Sequence, residues 1–275
     1  MSLEKFKERR FQSAADHYLV GRAPYPQALI ERVVQSLALE RSHRILDLGF
    51  GPAQLAVAFA PYVHDVLAMD PEPHMLALAR EASSGLSNVK VLEGSSEKLG
   101  LQYGRFQAVM IGRAFHWMNR EETLERLSDM VSSDGAVVLF GDERPLIPEN
   151  EWVREYEALL ERYSDNDEPR AKRRSDAFGS HLSVLLDSPF SSLERVSFVY
   201  RRALDIDDLV ERALSQSGTS HARLGTQADV MIEEIKQEAK RWKSTGDLIE
   251  VLASGALIAR RAKPLFSGAS HRMKN

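Results

Sequence analysis

Short apolar segments alternate with helix-like segments through the first half of the chain, and each apolar segment ends close to a glycine or an aspartate. Strands are predicted at residues 44–48, 65–69, 89–92, 106–111 and 136–140. Parallel strands need a crossover connection, usually a helix, and continuously apolar strands are buried on both faces. The alternation therefore predicts an α/β fold in which helices cover both faces of a largely parallel sheet. In such sheets, ligands bind beyond the carboxyl ends of the strands.

The second half of the chain has a different pattern, which predicts a helical cap. Residues 149–187 are highly charged and predicted to be helical, and amphipathic helices are predicted at 205–216 and 226–243. Two further strands, at 192–201 and 251–259, complete the predicted sheet. The predicted division is a core with an N-terminal leader at 1–142, an inserted helical cap at 143–190, the remaining core elements at 191–262 and a loose tail at 263–275.

Composition excludes several classes of function. The chain has 36 lysines and arginines against 40 aspartates and glutamates, and this balance argues against binding of nucleic acid through bulk electrostatics. It contains no cysteine, which excludes disulfides, thiolate metal sites and thiol nucleophiles. Its eight histidines lack the spacing of known zinc motifs, so no metal site is predicted. No segment has the length and apolarity of a signal peptide or a membrane span, and we expect a cytoplasmic protein without a membrane partner.

A glycine turn follows the first predicted strand and leads into a helix. Gly49 and Gly51 allow the backbone to approach a ligand closely, and the start of the helix supplies amide donors. Asp70 ends the second predicted strand, where an acidic side chain accepts both hydroxyls of a ribose. A dinucleotide site would need a third glycine where this chain has Gln54, and Asp47 would repel a pyrophosphate. The pattern therefore favours a nucleoside ligand that carries an ammonium group.

These segments resemble the cofactor motifs of class I S-adenosylmethionine-dependent methyltransferases. Residues 46–53, LDLGFGPA, are similar to the family's LDLGCGTG motif, and residues 70–76, DPEPHML, are similar to its D-x-S-x-x-M-L motif. Residues 92–99 and 108–117 resemble the segments around the third and fourth strands of the family. The resemblance covers residues 11–142 well and the rest in outline. The leader, residues 11–26, is similar to a small-molecule branch of trans-aconitate-methyltransferase-like proteins.

The resemblance implies a fold and an activity. The implied fold is a Rossmann-like, seven-stranded, mostly parallel sheet with helices on both faces and an inserted helical cap. The implied activity is methyl transfer from S-adenosylmethionine to oxygen, nitrogen or carbon of a small-molecule acceptor, with S-adenosylhomocysteine as the product.

The resemblance also implies a set of cofactor-binding residues. Gly49 and Gly51 are expected to pass close to the methionine part of the cofactor, with Asp47 near its ammonium group and Asp70 on the ribose. The other expected residues are Pro71 and Met75 beside the adenine, Ser95, Ser96 and Glu97 at its polar edge, Tyr18 and Arg22 at the cofactor carboxylate or the mouth of the site, and Arg113 in the loop after the fourth strand.

His116, in the same loop, has two interpretations that the sequence leaves open. Its imidazole titrates near neutral pH, so it is a candidate catalytic base that removes a proton from the acceptor. Alternatively, His116 and Trp117 pack under the cap and shape the pocket, because methyl transfer from a sulfonium often needs little beyond positioning and desolvation.

Departures from the family's motifs keep alternative functions open. Ala53 stands in place of the common third glycine, Ser95 in place of an aspartate that often binds the adenine amino group, and Gln107 in place of an aspartate in the fourth strand. One alternative is therefore a cofactor-binding protein of the same fold without transfer activity. A nucleic-acid or protein methyltransferase is the other. The acidic charge balance, and Gly112-Arg113-Ala114-Phe115 where an N/D-P-P-Y/F tetrapeptide would stand, favour a small-molecule acceptor and no nucleic acid partner.

Overall fold

A seven-stranded sheet forms the centre of the structure, a computed structural model that describes residues 14–164, 179–244 and 246–262. The strands are β1 (Arg44–Leu48), β2 (Asp65–Asp70), β3 (Val89–Glu93), β4 (Phe106–Gly112), β5 (Val131–Glu143), β6 (Ser192–Leu204) and β7 (Leu248–Arg260). Their order is β3-β2-β1-β4-β5-β7-β6. Strands β1 to β5 pair in parallel, whereas β7 is antiparallel to both β5 and β6. The prediction of a seven-stranded, mostly parallel α/β sheet is confirmed.

Helices cover both faces of this sheet, as predicted. The described helices are α1 (Ala15–Gly21), α2 (Gln27–Ser36), α3 (Gln54–Phe59), α4 (Pro73–Ala82), α5 (Arg120–Met130), α6 (Glu151–Ser164), α7 (His181–Leu186), α8 (Ile206–Leu214), α9 (His221–Leu224) and α10 (Gln227–Lys243). Helices α2, α3 and α4 share one apolar core with the sheet, and α5 and α7 share the core on the opposite face. Within β1, Ile45 belongs to the first core and Leu46 to the second, because successive side chains of a strand point to opposite faces. None of the described helices combines the length and the apolarity that a membrane crossing requires.

The last strand contains Gly255, at which the sequence indicates a bulge or a close backbone approach. Strand β7 keeps a continuous register with both neighbours, so it has no bulge there. A Cβ atom at residue 255 would lie 3.1 Å from the carbonyl oxygen of Val196 in β6. The glycine therefore serves the close approach of two backbones. The sheet has its register shift between Phe106 and Ala108 of β4 instead.

A third apolar core lies among α6, α8 and α10. Leu159 of α6, Leu209 of α8 and Ile235 of α10 are all buried in it. The division of the chain into cap and core remains a prediction. Helix α6 precedes β6 in the chain and belongs to the predicted cap, whereas α8 and α10 follow β6 and belong to the predicted core elements. The structure packs these three helices against one another. Residues 11–13 of the predicted leader, residues 165–178 of the predicted cap and the predicted tail at 263–275 lie outside the described residues.

A buried carboxylate joins helix α8 and the segment after β5 to strand β7. Glu250 of β7 is fully buried, and its Oε2 accepts a hydrogen bond of 2.6 Å from Arg212 of α8. Its Oε1 accepts hydrogen bonds of 2.5 Å from Arg144, just after β5, and of 3.0 Å from Arg212. Burial by itself would raise the pKa of Glu250, but the two guanidinium groups outweigh it and hold that pKa below its usual range. The carboxylate is therefore ionised at neutral pH and connects three separate segments.

Replacing Glu250 with glutamine should destabilise the protein strongly. The change leaves two guanidinium groups without their shared buried counter-charge, and breaking a buried ion pair from one side costs about 3–5 kcal/mol. Urea denaturation followed by circular dichroism measures the loss. Glu143→Gln is the matched control, because Glu143 pairs with Arg195 at the exposed surface at 3.1 Å, where ion pairs contribute little. An equally small change in both variants would contradict this account of Glu250.

Candidate functional site

A cavity of about 710 Å³ opens at the carboxyl ends of β1, β2 and β4. This is the position at which open parallel sheets bind ligands, and the volume lies within the range of small-molecule sites. The leader, the strand-end loops and helix α8 all contribute to its lining. The predicted residues that line it are Tyr18, Arg22, Gly49, Gly51, Asp70, Pro71, Met75, Ser95, Ser96, Glu97, Arg113 and His116.

The glycine turn after β1 has left-handed backbone at alternate positions. Gly49 has φ +70° and Gly51 has φ +55°, values that L residues with a Cβ rarely adopt. A Cβ at residue 49 would lie only 2.6 Å from the Cβ of Ala114, whereas a Cβ at residue 51 would have its nearest neighbour, Met75 Sδ, at 4.0 Å. Gly49 is therefore required by both conformation and space, and Gly51 by conformation. Ala53 adopts φ 62° with its methyl group, so this turn also contains one strained alanine.

Asp47 is the one predicted cofactor residue that the structure does not bring to the main cavity. It is fully buried and lines a small adjoining pocket with Gly49 and Tyr18. Its Oδ2 accepts a hydrogen bond of 2.8 Å from the Ala56 N–H in α3. Burial, with a smaller effect of Asp70, raises the pKa of Asp47 to about 7 in spite of that bond. Asp47 thus anchors the first turn of α3 beneath the glycine turn.

Asp70 connects the glycine turn to the start of α4. Its Oδ2 accepts a hydrogen bond of 3.0 Å from the Gly51 N–H, and its Oδ1 accepts one of 2.9 Å from the Glu72 N–H. Burial raises the pKa of Asp70 to about 6, and the two backbone N–H groups partly oppose that rise. Both carboxylate oxygens are therefore held in place by backbone while the side chain lines the cavity.

Glu72 also lines the cavity, and the sequence analysis did not select it. The residue is only 1% exposed, and neither of its carboxylate oxygens has a hydrogen-bond partner within the described residues. It is the N-cap residue of α4, yet its side chain makes no capping hydrogen bond. A signal was present in the sequence, because Glu72 occupies the serine position of the D-x-S motif that Asp70 begins.

The leader helix α1 is docked closely on helix α8, which follows β6. A Cβ at Gly21 would lie 2.4 Å from the carbonyl oxygen of Glu211, so the two backbones are nearly in contact. His17 Nδ1 lies 2.8 Å from Glu211 Oε2 in the same interface. This docking carries Tyr18 and Arg22 to the cavity wall, where the Arg22 guanidinium lies 5.6 Å from the centre of the Tyr18 ring.

Arg113 uses its guanidinium within the protein. Its Nε donates a hydrogen bond of 2.7 Å to Asp142 Oδ2, and its Nη2 donates one of 2.6 Å to the Ala23 carbonyl. The group also lies over the Tyr25 ring, 4.4 Å from its centre. Arg113 therefore fastens the end of the leader to β5 while it forms part of the cavity wall.

Opposite charges gather toward the two edges of the sheet. Toward β2 and β3, the charged lining residues are Asp70, Glu72 and Glu97, and toward β5, β6 and the cap they are Arg22, Arg113, Asp142, Glu143, Arg144, Arg195 and Arg212. We call the five arginines the basic wall.

Arg22 distinguishes the basic wall from an ordinary set of ion pairs. Arg144 and Arg212 share one carboxylate, that of Glu250. Arg144 also contacts Glu157 at the surface, at 3.5 Å. The Nε of Arg22 is buried without a hydrogen-bond partner, and the structure shows no carboxylate paired with its guanidinium among the described residues. Burial, together with the charges of neighbouring arginines, lowers the pKa of Arg22. The wall therefore contains a cation that the described protein leaves uncompensated.

Two histidine rings lie in near-parallel planes at the cap side of the cavity. His116, in a short 3₁₀ turn after β4, has its ring centre 6.4 Å from that of His181, with 14° between the planes. Nη1 of Arg120 lies 3.3 Å from His181 Nδ1, and because a guanidinium only donates, Nδ1 is an acceptor. Burial and Arg120 lower the pKa of His181 to about 4, so this ring is neutral and carries its proton on Nε2. No motif marks His181 in the sequence, since the cap alone places it here.

Alanine at the two turn glycines should have unequal effects on stability. Gly51→Ala should cost about 1–2 kcal/mol, the strain of a left-handed L residue. Gly49→Ala adds the collision with Ala114 and should cost about 2–5 kcal/mol in all. Chemical denaturation of both variants against the wild type checks the difference, and equal losses would show that the contact with Ala114 is not limiting.

Comparison with known proteins agrees with this arrangement. A family model described as a methyltransferase domain matches residues 45–135. An uncharacterised methyltransferase of Mycobacterium bovis is 28% identical over 207 residues, which cover 75% of this chain and 76% of that protein. A probable S-adenosylmethionine-dependent methyltransferase of Saccharomyces cerevisiae is 24% identical over 86% of this chain and 91% of its own length.

A solved structure shows the same fold. The S-adenosylmethionine-dependent methyltransferase of Thiobacillus denitrificans, in complex with S-adenosylhomocysteine, matches with a TM-score of 0.53 and 14% identity, covering 95% of this chain and 100% of that one. The matched methyltransferase domain, the methyltransferase relatives, the strand order and the cavity beyond β1 together support an S-adenosylmethionine-dependent methyltransferase, with S-adenosylmethionine as the cofactor.

Proposed function

We propose that this methyltransferase acts on a small-molecule acceptor that carries an anionic group, in keeping with the small-molecule branch that its leader resembles. The observation that carries the proposal is the basic wall, which contains the uncompensated cation of Arg22 inside a cavity bounded by the leader and the cap. Arg22 is partly buried, with its Nε fully buried, and the described residues supply no counter-charge; an anionic ligand would relieve the cost of this arrangement. The restricted volume of the cavity favours a small molecule over a polymer.

The cofactor fits the acidic side of the cavity and the glycine turn. When bound, S-adenosylmethionine supplies an electrophilic methyl group on a positively charged sulfur. Gly49 and Gly51 leave the space beside the turn that the methionine part of the cofactor needs, and Asp70 is the proposed ribose residue. The other proposed contacts are Pro71 and Met75 at the adenine, Ser95, Ser96 and Glu97 at its polar edge, and Tyr18 toward the cofactor carboxylate. Of the two places that the resemblance leaves for Arg22, the cofactor carboxylate and the mouth, this proposal assigns it to the mouth, where it faces the acceptor.

Two of the residues expected at the cofactor are better described as positioning residues. Asp47 holds the first turn of α3 through Ala56, and Arg113 holds Ala23 of the leader against Asp142. In this proposal, Asp47 and Arg113 set the shape of the cavity, and their charges are balanced or buried within the protein.

The leader and α8 are proposed to close the site together. Because α1 meets α8 without room for a methyl group at Gly21, we expect the two elements to move together. Closure of such elements excludes water, and methyl transfer benefits from a dry pocket in which the acceptor is aligned with the sulfur.

Organic acids and their neutral amides distinguish an anionic acceptor from a neutral one. Formation of S-adenosylhomocysteine is measured for each acid and amide, and we expect turnover with acids and at least about tenfold less with the matched amides, since hydrogen bonds to charged groups contribute about 1.5–3 kcal/mol. Arg22→Gln should lower kcat/KM for the acid by a similar factor. Arg201→Gln is the control, because Arg201 lies outside the cavity and pairs with Glu149 at the surface. Equal turnover of acids and amides would contradict the proposal.

His116 is proposed to shape the acceptor pocket beside His181 and Trp117 and not to act as an essential base. His116→Asn should therefore raise KM for the acceptor and lower kcat only modestly, because the loss is one of positioning. Steady-state kinetics across pH 6 to 9 tests this. A fall in kcat of more than about a hundredfold that recovers as the pH rises would make His116 the catalytic base.

A further inference from the structure

A buried carboxylate without a partner is the most unusual feature of the cavity. Glu72 is 1% exposed and lines the cavity, and both its Oε1 and Oε2 lack hydrogen-bond partners among the described residues. Buried charges in proteins are nearly always paired or hydrogen-bonded, since leaving one unsatisfied is strongly unfavourable. A group kept in this state therefore points to a partner that a ligand brings.

The local structure does not account for this carboxylate. An acidic N-cap residue ordinarily accepts an N–H from the first turn of its helix, but Glu72 makes no such bond with α4. Its own backbone N–H donates to Asp70 Oδ1, so the backbone of Glu72 is fixed next to the Asp70 carboxylate. The side chain is thus buried in the cavity without the capping bond that would explain an acidic residue at this position.

Asp70 and Glu72 differ in how much hydrogen-bonding capacity they have left. Asp70 already accepts one backbone N–H on each oxygen, from Gly51 and from Glu72. Glu72 has used none of its capacity. A ligand with two adjacent O–H donors would engage the remaining capacity of both groups, and the 2′ and 3′ hydroxyls of a ribose are such donors.

We propose that Glu72 accepts a hydrogen bond from a ribose hydroxyl of the cofactor, so that Asp70 and Glu72 together read the two hydroxyls. The assignment rests on the proposed function, in which Asp70 is the ribose residue. It favours the ribose over the adenine because the polar edge of the adenine is proposed to meet Ser95, Ser96 and Glu97, which follow the neighbouring strand β3. Glu72 is then a specificity residue that selects cofactors with an intact ribose.

The proposal predicts opposite effects of one substitution on stability and on binding. Removing the Glu72 charge abolishes an unsatisfied buried group, so the ligand-free protein should melt at a higher temperature. The same change removes a hydrogen-bond acceptor for the ribose, so affinity for S-adenosylhomocysteine should fall by roughly tenfold or more. A residue with a purely structural role would not raise the melting temperature while weakening the ligand.

The experiment combines variants with cofactor analogues. Isothermal titration calorimetry measures the affinity of the full chain for S-adenosylhomocysteine, for its 2′-deoxy and 3′-deoxy analogues, and for the inosine analogue that lacks the adenine amino group. The variants are Glu72→Leu, which has no acceptor, and Glu72→Gln, which keeps the shape and secures a folded variant. Glu93→Gln is the matched control, because Glu93 is exposed at the end of β3 and outside the cavity lining.

The expected result is that the wild type binds S-adenosylhomocysteine more tightly than either deoxy analogue, and that Glu72→Leu loses the preference against one of the two analogues while it keeps the preference that Asp70 supplies. Glu93→Gln should keep both preferences. Unchanged affinity in both Glu72 variants, or preferences against both deoxy analogues that survive in Glu72→Leu, overturns the proposal. If Glu72→Leu instead loses the preference for S-adenosylhomocysteine over the inosine analogue, Glu72 contacts the adenine, and this result also overturns the proposal. A wild type that binds none of the ligands would overturn the proposed function as well, so the two failures are distinguishable.

Discussion

The turn after β1 is held in place by backbone hydrogen bonds that converge on the end of β2, and the cavity depends on them. The Gly49 N–H donates to the Met69 carbonyl at 2.8 Å, and the Gly51 N–H donates to Asp70 at 3.0 Å. These bonds are possible only because both glycines adopt left-handed conformations and because Gly49 leaves room for Ala114. The turn thereby brings together the ends of three strands, β1, β2 and β4. A side chain at Gly49 would push the loop after β4 away, and the floor of the cavity would be lost.

Charge is arranged around this turn at a cost to the stability of the ligand-free protein. Burial raises the pKa values of Asp47 and Asp70 to about 7 and about 6, which means that the fold disfavours their charged forms. Within the described residues, Glu72 and Arg22 each hold buried atoms without a hydrogen-bond partner, at the acidic and the basic side of the cavity. The structural ion pairs show the contrast, because both oxygens of Glu250 accept hydrogen bonds from arginines, and the two oxygens of Asp142 accept from Arg113 and Ser254. The cavity therefore contains unsatisfied groups of both charges. Ligands that together carry both positive and negative charge would compensate them.

The first half of the fold could be predicted from the sequence because its constraints are local. Each of β1 to β5 contains a short, largely apolar run that is followed by a glycine, an aspartate or a turn, and the glycine motif fixes which strand ends form the site. The role of Asp47 could not be predicted in this way. Side chains alternate along β1, so the side chain of Asp47 points to the same face as Ile45 and reaches α3. A motif match does not reveal to which face a side chain points. Glu72 was visible as a departure from a serine, but only the structure shows that its carboxylate has no hydrogen-bond partner among the residues described.

The cap could not be predicted to the same degree because its constraints are long-range. Helix α6 packs against α8 and α10, although β6 separates them in the chain. The amphipathic pattern of each helix predicts which face is buried, but it does not predict which other element covers that face. His181 reaches the cavity only because α7 packs beside β4 and α5, and Arg22 only because Gly21 lets α1 approach α8. The same elements that set the acceptor side are therefore those with the weakest local signal. The difference has a physical reason. The turn at Gly49 requires one backbone geometry, which a local motif specifies. The acceptor side of the cavity is lined by side chains whose positions depend on how distant helices pack, and no local motif specifies that packing.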